Sequence, residues 1–377
     1  MTFIQRIHSW CQIDDVVRKE YLFSGFFSIT ANKSTKELCS VQKKREGINI
    51  KMAGQVIHLA SAVCLSILSV TTVSSNLLLL IAVWKDPLKC FSSPTTSFIV
   101  GISLADLVTA LTTEPFFAAY YYVVYTEGRD AVNGVLQTLF TAGSNISSVA
   151  ICYSFLIVLA LSWAQYIAIK CPHSFKKVVT RRNAIIFNML SLFYLLSFMS
   201  LQFVGIMDQF TFLKLSLALN TSFLSINLMV ILFLLNAAFR RHLKRKRAFE
   251  QHEESSSPRS SRKTRRENLQ QQFTAVAMYL AAILLLSALP HVITAQIFLY
   301  LSDELSPQAN ENIQIALEIS DLLLFVKVCL DAFVYAWRLP TYRRTMRMLF
   351  FRRAKERNGY INGRHANRFT EVSLSPQ

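Results

Sequence analysis

At 377 residues, with 52% apolar side chains and 28 phenylalanines, the chain carries more hydrocarbon than an ordinary water-soluble domain. Its formal charge of +17 would point to nucleic acid if the basic residues decorated a soluble surface. They gather instead in the gaps between apolar runs, as at one face of a membrane, so no nucleic-acid partner is expected.

The first 55 residues are polar and mixed in charge, and are expected to form an N-terminal segment outside the membrane, without regular structure. Lys43, Lys44, Arg45 and Lys51 stand just before the first apolar run, on the side that the positive-inside rule wants poor in cations. Met52 is therefore an alternative start. Seven apolar segments follow, at 56–83, 95–125, 132–169, 183–207, 211–239, 272–301 and 312–337. Each exceeds the roughly 20 residues needed to cross a bilayer. Short alternating strands of a barrel are absent, so the backbone must satisfy itself as helices. The fold class read from this pattern is an all-α membrane protein, a seven-helix bundle occupying 56–353, with a short amphipathic eighth helix at its end.

Orientation follows from the gaps. Lys85 and Lys89, then Lys170, Lys176, Lys177, Arg181 and Arg182, then the basic Ser-rich loop 240–271, the third on this side, and the tail mark one face as cytoplasmic. Glu127 and Asp130, Asp208, and Asp303, Glu304 and Glu311 mark the other as extracellular. The N-terminus is then outside and residues 354–377 form a disordered cytoplasmic tail. With no cysteine in the outer gaps after the first segment, no disulfide ties those loops to the bundle.

Charges inside the apolar runs point to function, because an ionisable group in hydrocarbon is costly unless it faces protein, water or a partner. The second segment holds Asp106 at mid-depth and Glu114 before Pro115, which is expected to kink its helix. The seventh holds Glu318, Asp321, Lys327 and Asp331, the last two at i and i+4 on one face. Asn76 in the first segment reads as a helix-packing hydrogen bond. Asp106, Lys327 and Asp331 are expected to meet inside the bundle.

These residues resemble the rhodopsin-like G-protein-coupled receptors over about 56–353. SLADL looks like the family's L-x-x-x-D with Asp106 as its acid, and Asn76 matches the first-span asparagine. WAQYIAIKCP, Trp163 to Pro172, looks like the run that closes span three. SALPHV puts Pro290 at the sixth-span proline, DAFVY, Asp331 to Tyr335, resembles N-P-x-x-Y, and PTYRRTMRMLF looks like the eighth helix. The departures are as informative. Ala164 and Gln165 replace the family's Asp-Arg, with Tyr166 kept; Asp331 and Ala332 replace Asn-Pro; Ala288 replaces the sixth-span tryptophan. Span five lacks both its proline and its tyrosine, Phe140 stands for the outer cysteine of span three, and the second outer loop is reduced to about 207–211. These omissions resemble the melanocortin, adenosine and cannabinoid branch.

The resemblance implies a receptor at the plasma membrane that passes an extracellular signal to a heterotrimeric G protein. It implies three sets of working residues. Asn76, Asp106, Ser154, Lys327 and Asp331 form an intramembrane charge network, in which Lys327 replaces the sodium ion that the family holds against its second-span aspartate. Ala164, Gln165, Tyr166, Pro290 and Tyr335 take part in activation and coupling. Glu114, Ser147, His291, Glu318 and Asp321 are ligand-binding candidates, and three carboxylates near one mouth favour a cationic peptide or small molecule; the plainer reading of Glu318 is a solvated helix end. Retinal is disfavoured, since the opsin lysine position falls on Phe325 rather than Lys327. Basic clusters in 240–271 suit anionic lipids. The polar segments show no Ser/His/Asp set, metal spacing or phosphate loop, so neither an enzyme nor a cofactor or metal is expected. A seven-helix protein that binds ligand or dimerises without G proteins is the main alternative, and a proton- or ion-conducting protein a lesser one.

Overall fold

The computed structural model describes residues 29–86, 93–205, 207–252, 261–301, 305–340 and 342–348, with side chains given from Gly54 onward in most of them. Six stretches are long and apolar enough to cross a bilayer: span one, Gly54–Lys85; two, Pro94–Glu127; three, Gly134–Lys170; four, Arg181–Ser200; five, Gln209–Lys246; and six, Leu269–Leu301. Span seven, Pro307–Arg338, has 32 residues and so rises about 48 Å, but Glu318, Asp321, Lys327 and Asp331 set it apart in composition. All the described elements are helical, and together they form a seven-span bundle.

Helix starts follow local chemistry. Ser93, Asn133, Thr180, Asp208 and Ser306 each accept a hydrogen bond from a first-turn backbone N–H, and Pro94 and Pro307 occupy the first position, where a missing N–H costs nothing. Asp208 is fully solvent-exposed, and the Thr211 backbone N–H holds its carboxyl below the usual carboxylate range. Span two breaks at Thr112, with φ −121° and ψ −66°, where the Pro115 ring crowds the carbonyl of Leu111. In span five, where proline is missing, a π-helical turn at Leu217–Ser222 interrupts the helix and buries Asn220.

Each pair of neighbouring spans around the ring is joined by at least one hydrogen bond. Ser69 donates to the Ala110 carbonyl (one to two, 2.7 Å), Thr113 to that of Gly143 (two to three, 3.1 Å), and Tyr153 to Asn188 (three to four, 2.7 Å). Tyr194 donates to Asn220 (four to five, 3.0 Å) and Gln296 to Ser222 (six to five, 3.2 Å). Thr294 and Ser320 lie 3.1 Å apart (six and seven), and Ser61 donates to Glu318 at 2.7 Å, closing the ring from one to seven. At about 0.5–1 kcal/mol each, such bonds fix register more than they supply stability. Packing comes from a core running through spans one to seven and including Phe155, Leu228, Leu280 and Tyr335. A smaller cluster joins Leu65, Phe117, Tyr121 and Phe325. Large apolar side chains such as Phe193, Phe233 and Leu286 face outward, toward lipid.

Three sequence expectations change. Residues 29–55, expected to be irregular, are helical and continuous with span one, so Met52 lies within a helix; residues 1–28 lie outside the described residues. Span four ends at Ser200 rather than 207, because Leu201–Gly205 form turns, Gly205 at φ +71°. The connecting stretch 240–271 is largely helix, through His252 and again from Ser261, since Arg, Lys and Gln have helix propensities close to that of Leu and continue a helix beyond the bilayer. Only residues 342–348 of the expected eighth helix are described, and they are helical; the tail 354–377 lies outside the described residues.

Candidate functional site: a buried charge network between two polar ends

At mid-depth the i, i+4 spacing of span seven puts Lys327 Nζ 2.7 Å from Asp331 Oδ2, with the two side chains 2% and 0% exposed. Asp106 on span two is equally buried, and its charge and that of Lys327 act on each other. The pair of acids does not, however, grip the ammonium symmetrically. Among the described residues Lys327 forms its ion pair with Asp331 alone. The reason is geometric: the i, i+4 partner lies on the same helix and always in reach, whereas Asp106 must be reached across the bundle. Of the other residues expected in the network, Asn76 donates its amide to the Thr72 carbonyl of its own span at 3.1 Å, Ser154 is buried on span three, and Tyr335 is fully buried on span seven.

The end of the bundle nearest Glu127, Asp208 and Ser306, here the acidic end, holds the ligand candidates. Glu318 is not a solvated helix end. It is 7% exposed, accepts from Ser61 at 2.7 Å, and faces His58 Nδ1 at 2.9 Å, which binds span seven to span one. Asp321, one turn on, pairs with His291 Nδ1 of span six at 2.7 Å, both about a quarter exposed. Two of the three carboxylates expected to await a cation are therefore already partnered by histidines. The third, Glu114, is fully buried with neither oxygen hydrogen-bonded among the described residues, and Ser147 on span three is buried as well. The Phe140 ring stacks on Tyr120 at 4.1 Å and Phe117 at 4.4 Å, with Phe325 edge-on to Phe117 at 5.7 Å. An aromatic cluster thus anchors span three to span two at the position where the resemblance would place a disulfide cysteine. Each such ring pair is worth about 0.5–1.5 kcal/mol beyond its burial.

The opposite end, bearing Lys85, Lys170, Arg181 and Arg338, is the basic end. Here Gln165 is completely buried and uses both ends of its amide. Its Nε2 donates to Thr95 Oγ1 of span two at 3.3 Å, while its Oε1 accepts from Gln270 Nε2 at 2.6 Å and Thr274 Oγ1 at 3.1 Å, both of span six. Ala164 beside it is buried, and Tyr166 packs edge-on to Trp163 at 5.8 Å. Arg338 closes span seven onto span six, donating to the Tyr279 hydroxyl at 3.1 Å and lying over the Tyr279 ring at 4.5 Å. Pro290 lies inside span six between the two ends.

Residues 75–335, well over half the chain, match the model of the seven-transmembrane receptors of the rhodopsin family. The chain belongs to that family. No curated protein compared with it matches. The matched region of the receptor contains the charge pair, the Gln165 cluster, Pro290 and Tyr335, and leaves out His58 and Ser61. Those two are partners that the sequence could not announce, because they lie 260 and 257 residues from Glu318. The same holds for Thr95, Gln270 and Thr274 around Gln165. Any signal for them was weak: a polar residue in an apolar helix that shows no local partner must find one on a neighbouring span.

Proposed function

We propose that this receptor spans the plasma membrane with its acidic end outside and its basic end in the cytoplasm, and that it couples an extracellular ligand to a heterotrimeric G protein. The basic residues of the gaps support that orientation. The observation that carries the coupling is Gln165. It stands where the family's coupling arginine stands, and it holds spans two and six against span three by three hydrogen bonds in a water-excluded place. Opening that end toward a G protein requires span six to leave Gln165, so Gln270 and Thr274 act as its latch. The latch is neutral, and its strength does not depend on salt as an ion pair's would.

The ligand enters from the acidic end, among spans two, three, six and seven. Glu114, Ser147 and the quarter-exposed His291–Asp321 pair are its contacts in this reading, while Glu318 is a positioning residue that orients span seven through His58 and Ser61. Lys327, held by Asp331 of its own helix, stands in for a bound cation and draws span seven toward span two through the longer-range attraction of Asp106. Second-messenger assays on cells expressing the full chain test the proposal. Thr274→Val and Gln270→Leu, which loosen the latch, raise basal signalling several-fold. A chain that reaches the surface and stays silent in native and latch variants, yet signals as Gln165→Arg, would replace this reading with that of a ligand-binding protein working without G proteins.

A further inference from the structure

Outside the ring, a cavity of about 800 Å³ runs between spans two, three and four and opens toward the bilayer. Its wall is almost wholly hydrocarbon, with Leu104 and Val108 of span two, Val149 of span three, and Met189, Leu192 and Leu196 of span four. Along span four its lining residues run from Arg181 to Met199, about 27 Å at 1.5 Å per residue, close to the thickness of the hydrocarbon core. Its floor is set by one close approach. Gly101 faces the Asn188 amide and the Tyr153 hydroxyl, which a β-carbon at 101 would strike, and Asn188 holds span four to span two through the Ser97 carbonyl at 3.3 Å.

The charge at the ends of the slot is unequal. Arg181 lines its basic end, with Arg182 next to it in the chain, against the single lining carboxylate of Asp86. From Ala131 to Met207, which covers all of spans three and four and the gap between them, the sequence contains no Asp or Glu. Arg181 and Arg182 moreover occupy the first turn of the span-four helix, where the macrodipole already disfavours cations. An anion at that spot would relieve both charges.

From this we infer a site for one anionic phospholipid, its headgroup on Arg181 and Arg182 and an acyl chain lying along Leu104, Met189 and Leu196. The inference rests on the proposed orientation only in that anionic lipids are concentrated in the cytoplasmic leaflet. Bound there, the lipid fills the gap between spans two and four and braces the wall that carries Thr95, one partner of Gln165.

The test uses the purified full-length receptor in lipid discs holding trace photoreactive phosphatidylserine or phosphatidylcholine with identical acyl chains, followed by peptide mapping. Phosphatidylserine is expected to label the span-two and span-four peptides about tenfold more than phosphatidylcholine. Leu196→Trp and Met189→Trp, which fill the slot at outward-facing positions, reduce labelling by both lipids. Phe233→Trp, on the outer face of span five, does not, and thermal midpoints close to the native value establish that the variants are folded. Arg181→Gln/Arg182→Gln keeps the labelled peptides but brings the two lipids to parity. Equal labelling in the native chain, labels scattered over all spans, indifference to the slot-filling variants, or cross-links joining two copies of the chain through span four would each overturn the site. Both disc leaflets carry the same lipids and no G protein is present, so the result is independent of threading direction and of coupling.

Discussion

The Lys327–Asp331 pair permits the sharpest calculation. At 2.7 Å and an effective dielectric near 20, the Coulomb attraction is about 6 kcal/mol, opposed by the desolvation of two groups that are essentially fully buried. The net value of the pair against a well-packed apolar substitute is therefore near zero, but removing one member strands the other. Lys327→Met is expected to cost about 3–5 kcal/mol, and Asp331→Leu a similar amount. The double variant returns to within about 1 kcal/mol of the native chain, because each single loss consists mainly of the charge left behind. For a domain of this size the single variants lose about 10 °C of thermal midpoint. Cys152 and Cys329 are buried in the spans, so the release of their thiols to a thiol-reactive dye reports unfolding in detergent, once every thiol that reacts in the folded chain, Cys64 and Cys171 among them, has been blocked. A double variant as unstable as either single one, or a Lys327→Met variant as stable as the native chain, would refute the argument that the ammonium is held for its counter-ion.

If the ammonium takes a bound cation's place as proposed, the same assay with sodium exchanged for a large organic cation should leave the native midpoint unchanged; a Lys327→Ser/Asp331→Asn variant should gain sodium dependence through Asp106. His58→Phe leaves Glu318 buried beside an apolar ring and is expected to cost about 2–3 kcal/mol, with Glu318→Gln milder because Ser61 can still donate to it; equal effects would argue against the pair. Phe140→Ala removes two stacked ring contacts and should lower stability by about 1–3 kcal/mol, whereas Phe140→Tyr, which preserves the stack, should not. Asp208 caps span five with a carboxyl held below its ordinary range, so the stability it gives is complete above the unfolded carboxylate pKa and is lost as pH falls through the lower, folded value. The difference in midpoint between native and Asp208→Ala should therefore vanish only in strongly acidic buffer, and a difference that fades near neutral pH would contradict the cap.

Along the chain, what could be read was what has a period or a fixed offset. Hydrocarbon runs longer than a bilayer is thick fix the number of spans, because an unpaired backbone in lipid is too costly for any other solution. Lys327 and Asp331 are likewise determined locally, since four residues along a helix return to the same face wherever that helix packs. The tertiary structure alone decided which polar groups meet across the ring. Glu318 reads equally well as a solvated helix end, and only the placement of span one, some 260 residues earlier, turns it into the partner of His58 and Ser61. Asp106 and Gln165 show the two sides of this rule: one was expected to share the ammonium and stands beyond its ion-pair contact, while the other looked like the loss of a charge and instead joins three spans. A hydrogen bond or ion pair acts over a few ångströms, and sequence distance carries no information about that separation until apolar packing has brought the helices together.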